Sequence, residues 1–393
     1  VRIGLAPAVI SPFVVQAIGE RAARRYALTA ERFGGQRARE IGLLAESYPA
    51  ESLDQQVDQW VTNLLQNSPA AMRASKDLLR EVGNGALTPA LRRYVAILDL
   101  QPHPHGDEQI LGLGAGEDEY EGANPWQPEL AAAISDHLLS RPAEVPAGEL
   151  RRRLPMIATW IASRLRAQAE NPQLPHVGPK ASPRTRITAV DEPYAAYFSV
   201  EEIRLTQRRN DGAWTDPLLR AVFVSGDATV VLPWDPLRDR VMLIDQMRAG
   251  PLARGDAQPW LYETVAGRID AGETPAQAAL REAVEETGLH IRHLIAAPHN
   301  YPSPGAVAEY LYLYLGIADL PDGSAGLGGL ASEDEDIRAH LIPRAELTRM
   351  ALSGEIRNGP LLNLALWLEL SHARIRDTLQ AGGSGLPPSG AGV

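Results

Sequence analysis

Three glutamates, Glu282, Glu285 and Glu286, fall at positions i, i+3 and i+4 of one short segment, with Arg281 beside them and Glu273 a little earlier. On a helix that spacing puts three carboxylates on one face. Like charges so placed repel by about a few tenths of a kcal/mol per pair, and they lie near the negative end of the helix dipole. They need a positive neighbour. Clustered carboxylates beside an open turn suit Mg²⁺ or Mn²⁺, hard cations that take oxygen ligands and leave positions for water or substrate phosphate. An acidic helix face met alone is usually just solvated; here the spacing of the surrounding residues decides against that.

The element that must carry these acids is specified locally. Thr274 is an N-cap, Pro275 suits the first helical position, Gln277 completes a capping box and Gly288 stands where a C-terminal cap belongs. The expected helix runs from Pro275 to Thr287. Ala276, Ala279, Leu280, Ala283 and Val284 are expected to form its apolar face and to pack inward.

Residues 267–289, GRIDAGETPAQAALREAVEETGL, fit Gx5Ex7REUxEExGU throughout, U being a bulky aliphatic with Ala283 as a small member of the class. The stretch resembles the Nudix box, the signature of hydrolases that cleave nucleoside diphosphates linked to another group. The resemblance implies that Glu282, Glu285, Glu286 and the carbonyl of Ala266 hold Mg²⁺ or Mn²⁺. It also implies that Arg281 and Glu273 join loop to helix as an ion pair, with Gly267 and Gly288 as structural positions.

Around the box, strand-like runs separated by turns at residues 210–212 and 238–239 predict an α/β sandwich on a mixed sheet, closed by a helix over residues 359–370. The expected fold class is α/β, a Nudix α/β/α sandwich preceded by a mainly helical N-terminal region. The strings VLPWDPLRDRVMLIDQMR, WLYETVAGRID, YPSPG and SEDEDIRAH narrow the resemblance to ADP-ribose pyrophosphatases, including the branch associated with tellurite resistance. By that resemblance Arg248, Arg220 and Ser303 contact substrate, Arg248 through its planar fork. The base is Glu333 or Glu335, carried by a glycine-rich loop able to swing it onto the attacking water. Tyr197 or Phe198 would stack on adenine, and the chain would form a homodimer with exchanged N-terminal strands. The activity implied is cleavage of ADP-ribose to AMP and ribose 5-phosphate. A non-catalytic ADP-ribose or nucleotide-sugar sensor, and a hydrolase of other nucleoside-diphosphate sugars, stay open.

Before that domain the reading changes. Residues 1–95, with the wording around residues 67–79, resemble the second half of the enoyl-CoA hydratase (crotonase) family. The family's catalytic glutamates and oxyanion hole precede the matched part, so the resemblance implies a remnant rather than a working hydratase. Residues 96–185 are expected to be linker and connecting helices, with a solvated loop around His103 and His105. A basic amphipathic helix carries Arg151, Arg152, Arg153, Arg164 and Arg166. The Nudix-like domain is expected over residues 186–375 and a disordered tail over 376–393.

A net charge of −11 in 393 residues argues against general nucleic-acid binding. The sequence has no cysteine, which excludes disulfides and thiolate chemistry and fits a reducing cytoplasm. No run of apolar residues is long enough to cross a membrane. Pro7 and Pro12 interrupt the apolar start, which argues against a signal peptide.

Overall fold

Residues 228–235 and 240–247 are buried almost end to end, the pattern of strands covered on both faces. They form the centre of the larger of two compact units, residues 76–393; the other is residues 1–75. The structure, a computed structural model, describes residues 22, 25–26, 33–44, 46–65, 89–99, 101–105, 108–112, 127–170, 184–329 and 335–381.

In the first unit the described elements are two helices, α1 (Gly35–Glu40) and α2 (Ala50–Leu65). The wording at residues 67–79 lies outside the described residues. The described elements of the second unit start with α3 (Pro89–Leu98) and a short antiparallel hairpin, β1 (Gln101–His105) and β2 (Glu108–Gly112). That hairpin stands where linker was expected. Three helices follow: α4 (Pro128–Ser140), α5 (Ala147–Arg152) and α6 (Leu154–Ala169).

The remaining strands are β3 (Thr185–Ala195), β4 (Ser199–Gln207), β5 (Leu218–Val224), β6 (Ala228–Asp235) and β7 (Arg240–Met247). After α7 (Ala249–Arg254) come β8 (Trp260–Glu263), β9 (Val265–Arg268) and α8 (Pro275–Thr287). Then follow β10 (His293–Ala296), β11 (Val307–Ala308), β12 (Leu311–Ile317), β13 (Leu327–Gly328), β14 (Ile337–Pro343), α9 (Arg344–Ser353) and α10 (Gly359–Gln380).

One sheet has the order β10-β12-β6-β7-β14-β13, with β8 on β7 and β9 on β6; a second has the order β11-β5-β4-β3. The first is mixed, because β12 runs parallel to β6 while β9 and β14 run antiparallel to their neighbours. Alternation along β6 builds the sandwich. Val230, Leu232 and Trp234 face a core shared with Leu361, Leu364 and Leu368 of α10, whereas Val231 faces Ala279 and Ala283 of α8. The expected α/β/α layers are therefore present.

Two details differ from the sequence reading. The run expected as the first strand, residues 195–209, holds β4, while β3 before it is a strand that the reading did not include, and the closing helix runs ten residues past Leu370. Residues 376–380, expected in the disordered tail, are helical. Ile375 is buried in the core, Leu379 packs against it, and Arg376 donates to Asp239 at 2.8 Å, so the last turns have both apolar and ionic anchorage. Residues 382–393 lie outside the described residues.

The helices before the sheet form a layer with their own core of Ile97, Leu138, Leu150, Ile157, Trp160 and Ile161, which also takes in Val224 of β5. Three of the arginines that make α6 and its approach basic are used to dock it. Arg153 meets Glu192 at 3.0 Å, Arg166 meets Asp227 at 3.0 Å, and Arg164 pairs with Glu201. Gly226, at φ +86°, lets the β5–β6 turn sit directly under α6, because a Cβ there would come within 2.9 Å of the Thr159 methyl. No helix among the described residues is long and apolar enough to cross a membrane.

Ile375→Ala should lower the unfolding free energy by about 2–4 kcal/mol, the usual effect of emptying a buried aliphatic site. The urea midpoint would fall at unchanged slope. A loss well under about 1 kcal/mol would show that the added turns of α10 are not part of the core.

Candidate active site

The local signals of α8 act as their chemistry requires. The Thr274 side chain accepts from the Gln277 amide, Gln277 returns the bond to the Thr274 amide at 2.9 Å, and Gly288 ends the helix at φ +68°. The orientation of the helix is another matter. Ala278, Ala279, Ala283 and Glu286 are buried, while Leu280 and Val284 are 42% and 43% exposed. The expectation that Leu280 and Val284 pack inward is thus corrected. Glu282 and Glu286 lie on the arc between Ala278, Ala279 and Ala283, so small residues bring the helix close to the sheet and the acids go in with them.

Gly267 on β9 makes that approach possible, for a Cβ there would overlap the Glu282 carboxylate. Arg281 then gathers the cluster. Its Nε and Nη2 donate to the two oxygens of Glu273 at 2.9 and 3.0 Å, and Nη1 donates to Glu282 at 2.9 Å and Glu285 at 2.7 Å. Nη2 also donates to the Arg268 carbonyl at 3.0 Å, which ties the helix to β9. The Glu286 carboxylate accepts from the Ala266 amide at 3.2 Å. Burial, and next the charge of Glu282, push its carboxyl well above the ordinary value of 4.5. With Glu282 and Glu285 drawn to Arg281 and Glu286 turned to the strand, no three acidic or histidine side chains among the described residues bracket a single point.

The donor set nevertheless suits a hard divalent cation. One guanidinium faces Glu273, Glu282 and Glu285, and the buried Glu286 carboxyl has one backbone amide as its hydrogen-bond partner with the Arg248 charge nearby. The surplus is negative and all of it is on oxygen. The Gly267 cradle leaves the Glu282 carboxylate against the strand that carries the Ala266 carbonyl.

Arg248 ends β7 beside this cluster. Glu263, 3% exposed on β8, accepts from its Nε and Nη2 at 3.0 and 2.7 Å and fixes the plane of the guanidinium. Burial opposes the Arg248 charge, but Glu263 outweighs it and the group is held above its ordinary value. Glu335 lines the same cleft and its charge also lifts Glu286. Glu333 lies outside the described residues.

The cleft is about 1160 Å³ and brings together Ala266, Gly267, Glu273, Arg281, Glu282 and Arg248. Arg220, Ser303, Glu285 and Glu286 are not among its lining residues. Arg220 is exposed on β5 and donates to its neighbour's carbonyl at 2.9 Å, and Ser303 is exposed in the loop before β11. Tyr197 lines the cleft, while Phe198 stacks between Tyr197 and Phe223. Several contributors escaped the sequence reading. Glu263 had one visible signal, a lone acid ending an apolar strand; Pro155, Met156, Ala158 and Thr159 of α6 had none, because only folding brings that helix to the cleft.

A family model described as NUDIX domain matches residues 225–364, and one described as Enoyl-CoA hydratase/isomerase matches residues 1–97. The chain is 35% identical over 191 residues to ADP-ribose pyrophosphatase of Escherichia coli (strain K12), covering 49% of this chain and 90% of that one. It is 31% identical over 187 residues to ADP-ribose pyrophosphatase of Haemophilus influenzae, covering 47% and 86%. Against GDP-mannose pyrophosphatase of Escherichia coli O1:K1 / APEC it is 32% identical over 176 residues, covering 45% and 90%. A solved structure of an ADP compounds hydrolase aligns at 19% identity with a TM-score of 0.38, covering 49% of this chain and 98% of that one. With its signature intact on a capped helix and relatives aligned over most of their own length, the chain belongs to the Nudix family of hydrolases.

Proposed function

We propose that the chain is a pyrophosphohydrolase dependent on Mg²⁺, or Mn²⁺ in its place, that cleaves ADP-ribose to AMP and ribose 5-phosphate. The observation that carries the reading is one cleft lined by both Glu282, from the oxygen-only acidic cluster that Arg281 gathers on α8, and the braced Arg248. The names of the relatives supply the substrate. Glu282, Glu285, Glu286 and the Ala266 carbonyl would hold the ion, which supplies neutralisation of the diphosphate and acidifies the attacking water.

The chain's own groups do the rest. Arg248 meets a diphosphate oxygen, and Glu263 keeps its fork in place. Glu335, or Glu333 in the same loop, takes the proton as water adds to phosphorus and the bridging P–O bond breaks. Arg281 and Glu273 keep the carboxylates together through the cycle. No covalent intermediate is required.

In this reading the domains are a crotonase-like helical region over residues 1–95, a connecting region over 96–185, and the hydrolase from 186 to the end of α10. In the same reading the protein acts as a homodimer and is placed with the tellurite-resistance-associated branch of ADP-ribose pyrophosphatases. A second reading, hydrolysis of other nucleoside-diphosphate sugars, draws on the 32% identity to GDP-mannose pyrophosphatase. A panel of nucleotide sugars with AMP or GMP release as readout separates the two.

Glu286→Gln should lower kcat for ADP-ribose in magnesium by about 10³-fold, the scale seen when one transition-state electrostatic contact is removed. Turnover like the wild type would remove Glu286 from the metal set. Glu335→Gln should likewise depress kcat and flatten the acid limb of its pH profile; if only Glu333→Gln does so, Glu333 is the base.

The same buried acid sets a pH dependence of stability. Its folded value is raised, so the folded chain retains a proton that the unfolded chain releases. The stabilisation is complete below the unfolded value of about 4.3 and is lost as pH rises through the folded one. Metal-free Glu286→Gln should therefore melt above the wild type at alkaline pH and converge with it near about pH 4. Magnesium should raise the melting temperature of the wild type and not of the variant. Parallel melting curves at every pH would show that Glu286 is not strained.

A further inference from the structure

Helix α6 lies outside the residues matched by the NUDIX family model, yet it walls the cleft with Pro155, Met156, Ala158 and Thr159. Its position is firmly set. Ile157 and Trp160 are buried on its far side, Thr159 presses on Gly226, and Ser163 donates to Asp227 at 2.6 Å beside the Arg166 contact.

What the wall touches in the cleft is Arg268. Alternation along β9 points Gly267 at Glu282 and sends Arg268 to the other face, toward α6. There the guanidinium lies over the Tyr197 ring at 4.3 Å and near Phe198 at 5.1 Å, and Nη1 touches the Met156 sulfur at 3.3 Å. Sulfur is a weak acceptor. Among the described residues no carboxylate comes within ion-pair distance of Arg268, whereas Arg248 and Arg281 in the same cleft are both paired. Asp270 and Glu309 act on it only beyond ion-pair distance, so a half-buried guanidinium, held flat by an aromatic ring and a thioether, has been given orientation with only a weak acceptor.

The cleft therefore has two chemically different parts. One is carboxylate and paired arginine, suited to cation and diphosphate. The other is Pro155, Met156, Ala158, Thr159 and Tyr197 around Arg268, a surface whose hydroxyls are those of Thr159 and Tyr197, with no described carboxylate in ion-pair contact with that arginine, poor in groups for a hydroxyl-rich sugar phosphate. A flat heterocycle with ring-nitrogen or carbonyl acceptors at its edge matches it: apolar faces take the ring and Arg268 takes the acceptor.

We propose that α6 and Arg268 form the nucleobase subsite of this enzyme, with Arg268 as the substrate-contacting residue and Met156 as the residue that positions it. The proposal rests on the pyrophosphohydrolase reading for the identity of the ligand. It makes the helical layer before the family domain a working part of the site, one that sets which nucleotides fit.

The test is calorimetric titration of AMP and, separately, ribose 5-phosphate into the full chain in magnesium buffer. Arg268→Ala should weaken AMP about tenfold or more, the loss expected when one base contact worth about 1.4 kcal/mol is removed. Ribose 5-phosphate affinity should change less than about twofold, within the error of such contacts. Arg268→Lys should recover part of the AMP affinity, and Met156→Ala should fall between wild type and Arg268→Ala with its melting temperature recorded as a folding control. AMP affinity indifferent to Arg268, equal losses for both ligands, or no AMP binding by the wild type would each overturn the proposal. A chain that binds AMP through Arg268 but cleaves no nucleoside-diphosphate sugar keeps the subsite and loses the hydrolase reading; ADP-ribose cleavage with AMP binding indifferent to Arg268 does the reverse.

Discussion

The site depends on holding three carboxylates within reach of one guanidinium. Arg281 bonds Glu273, Glu282 and Glu285 and the carbonyl of Arg268, so a single planar group joins the loop, the helix and the strand beneath them. Arginine suits this place because its five donors point in a fixed fork, whereas a lysine would offer a point charge to one partner at a time. Compensation is incomplete: Glu286 has one backbone amide and the Arg248 charge beside it, and burial with the neighbouring Glu282 and Glu335 outweighs both. The result is a folded state with negative charge in surplus at a spot shaped by Gly267. Such a state is costly for the protein alone and favourable for binding a cation.

Folding meets that cost through the layers on either side. Ala278, Ala279 and Ala283 let α8 lie close on the sheet, and the core between the sheet and α10 supplies the bulk of the apolar burial. The two faces divide the labour: small residues and acids on one, large aliphatic residues on the other. The extended end of α10, with Ile375 and Arg376 both anchored, belongs to the second face.

The helical layer gives the domain a feature that its signature does not encode. Its arginines are placed as a basic amphipathic helix would place them for a nucleic acid or a membrane, but Glu192, Glu201 and Asp227 of the neighbouring sheet take them up. Docked in this way, α6 presents its N-terminal residues to the cleft and turns an open edge into a wall. The contact between Met156 and Arg268 is the place where that layer reaches the chemistry.

What the sequence determined by itself was everything decided over short distances. Thr274, Pro275, Gln277 and Gly288 specify where α8 starts and stops, because capping groups satisfy backbone donors and acceptors a few residues away. The spacing of Glu273, Arg281, Glu282, Glu285 and Glu286 announced an acidic site, and the apolar runs of β6, β7 and β12 announced a covered sheet. Only the tertiary structure decided which way α8 faces. Leu280 and Val284 look like core by hydropathy, yet the alanines win that face because they alone allow Glu282 to reach the Gly267 cradle. It also decided that Arg248 has Glu263 for a partner, that Arg268 has none among the described carboxylates, and that α6 belongs to the cleft at all. Those facts join residues distant in sequence, and no local pattern carries them: they exist only once the sheet has fixed the distances between its strands and the layers that cover it.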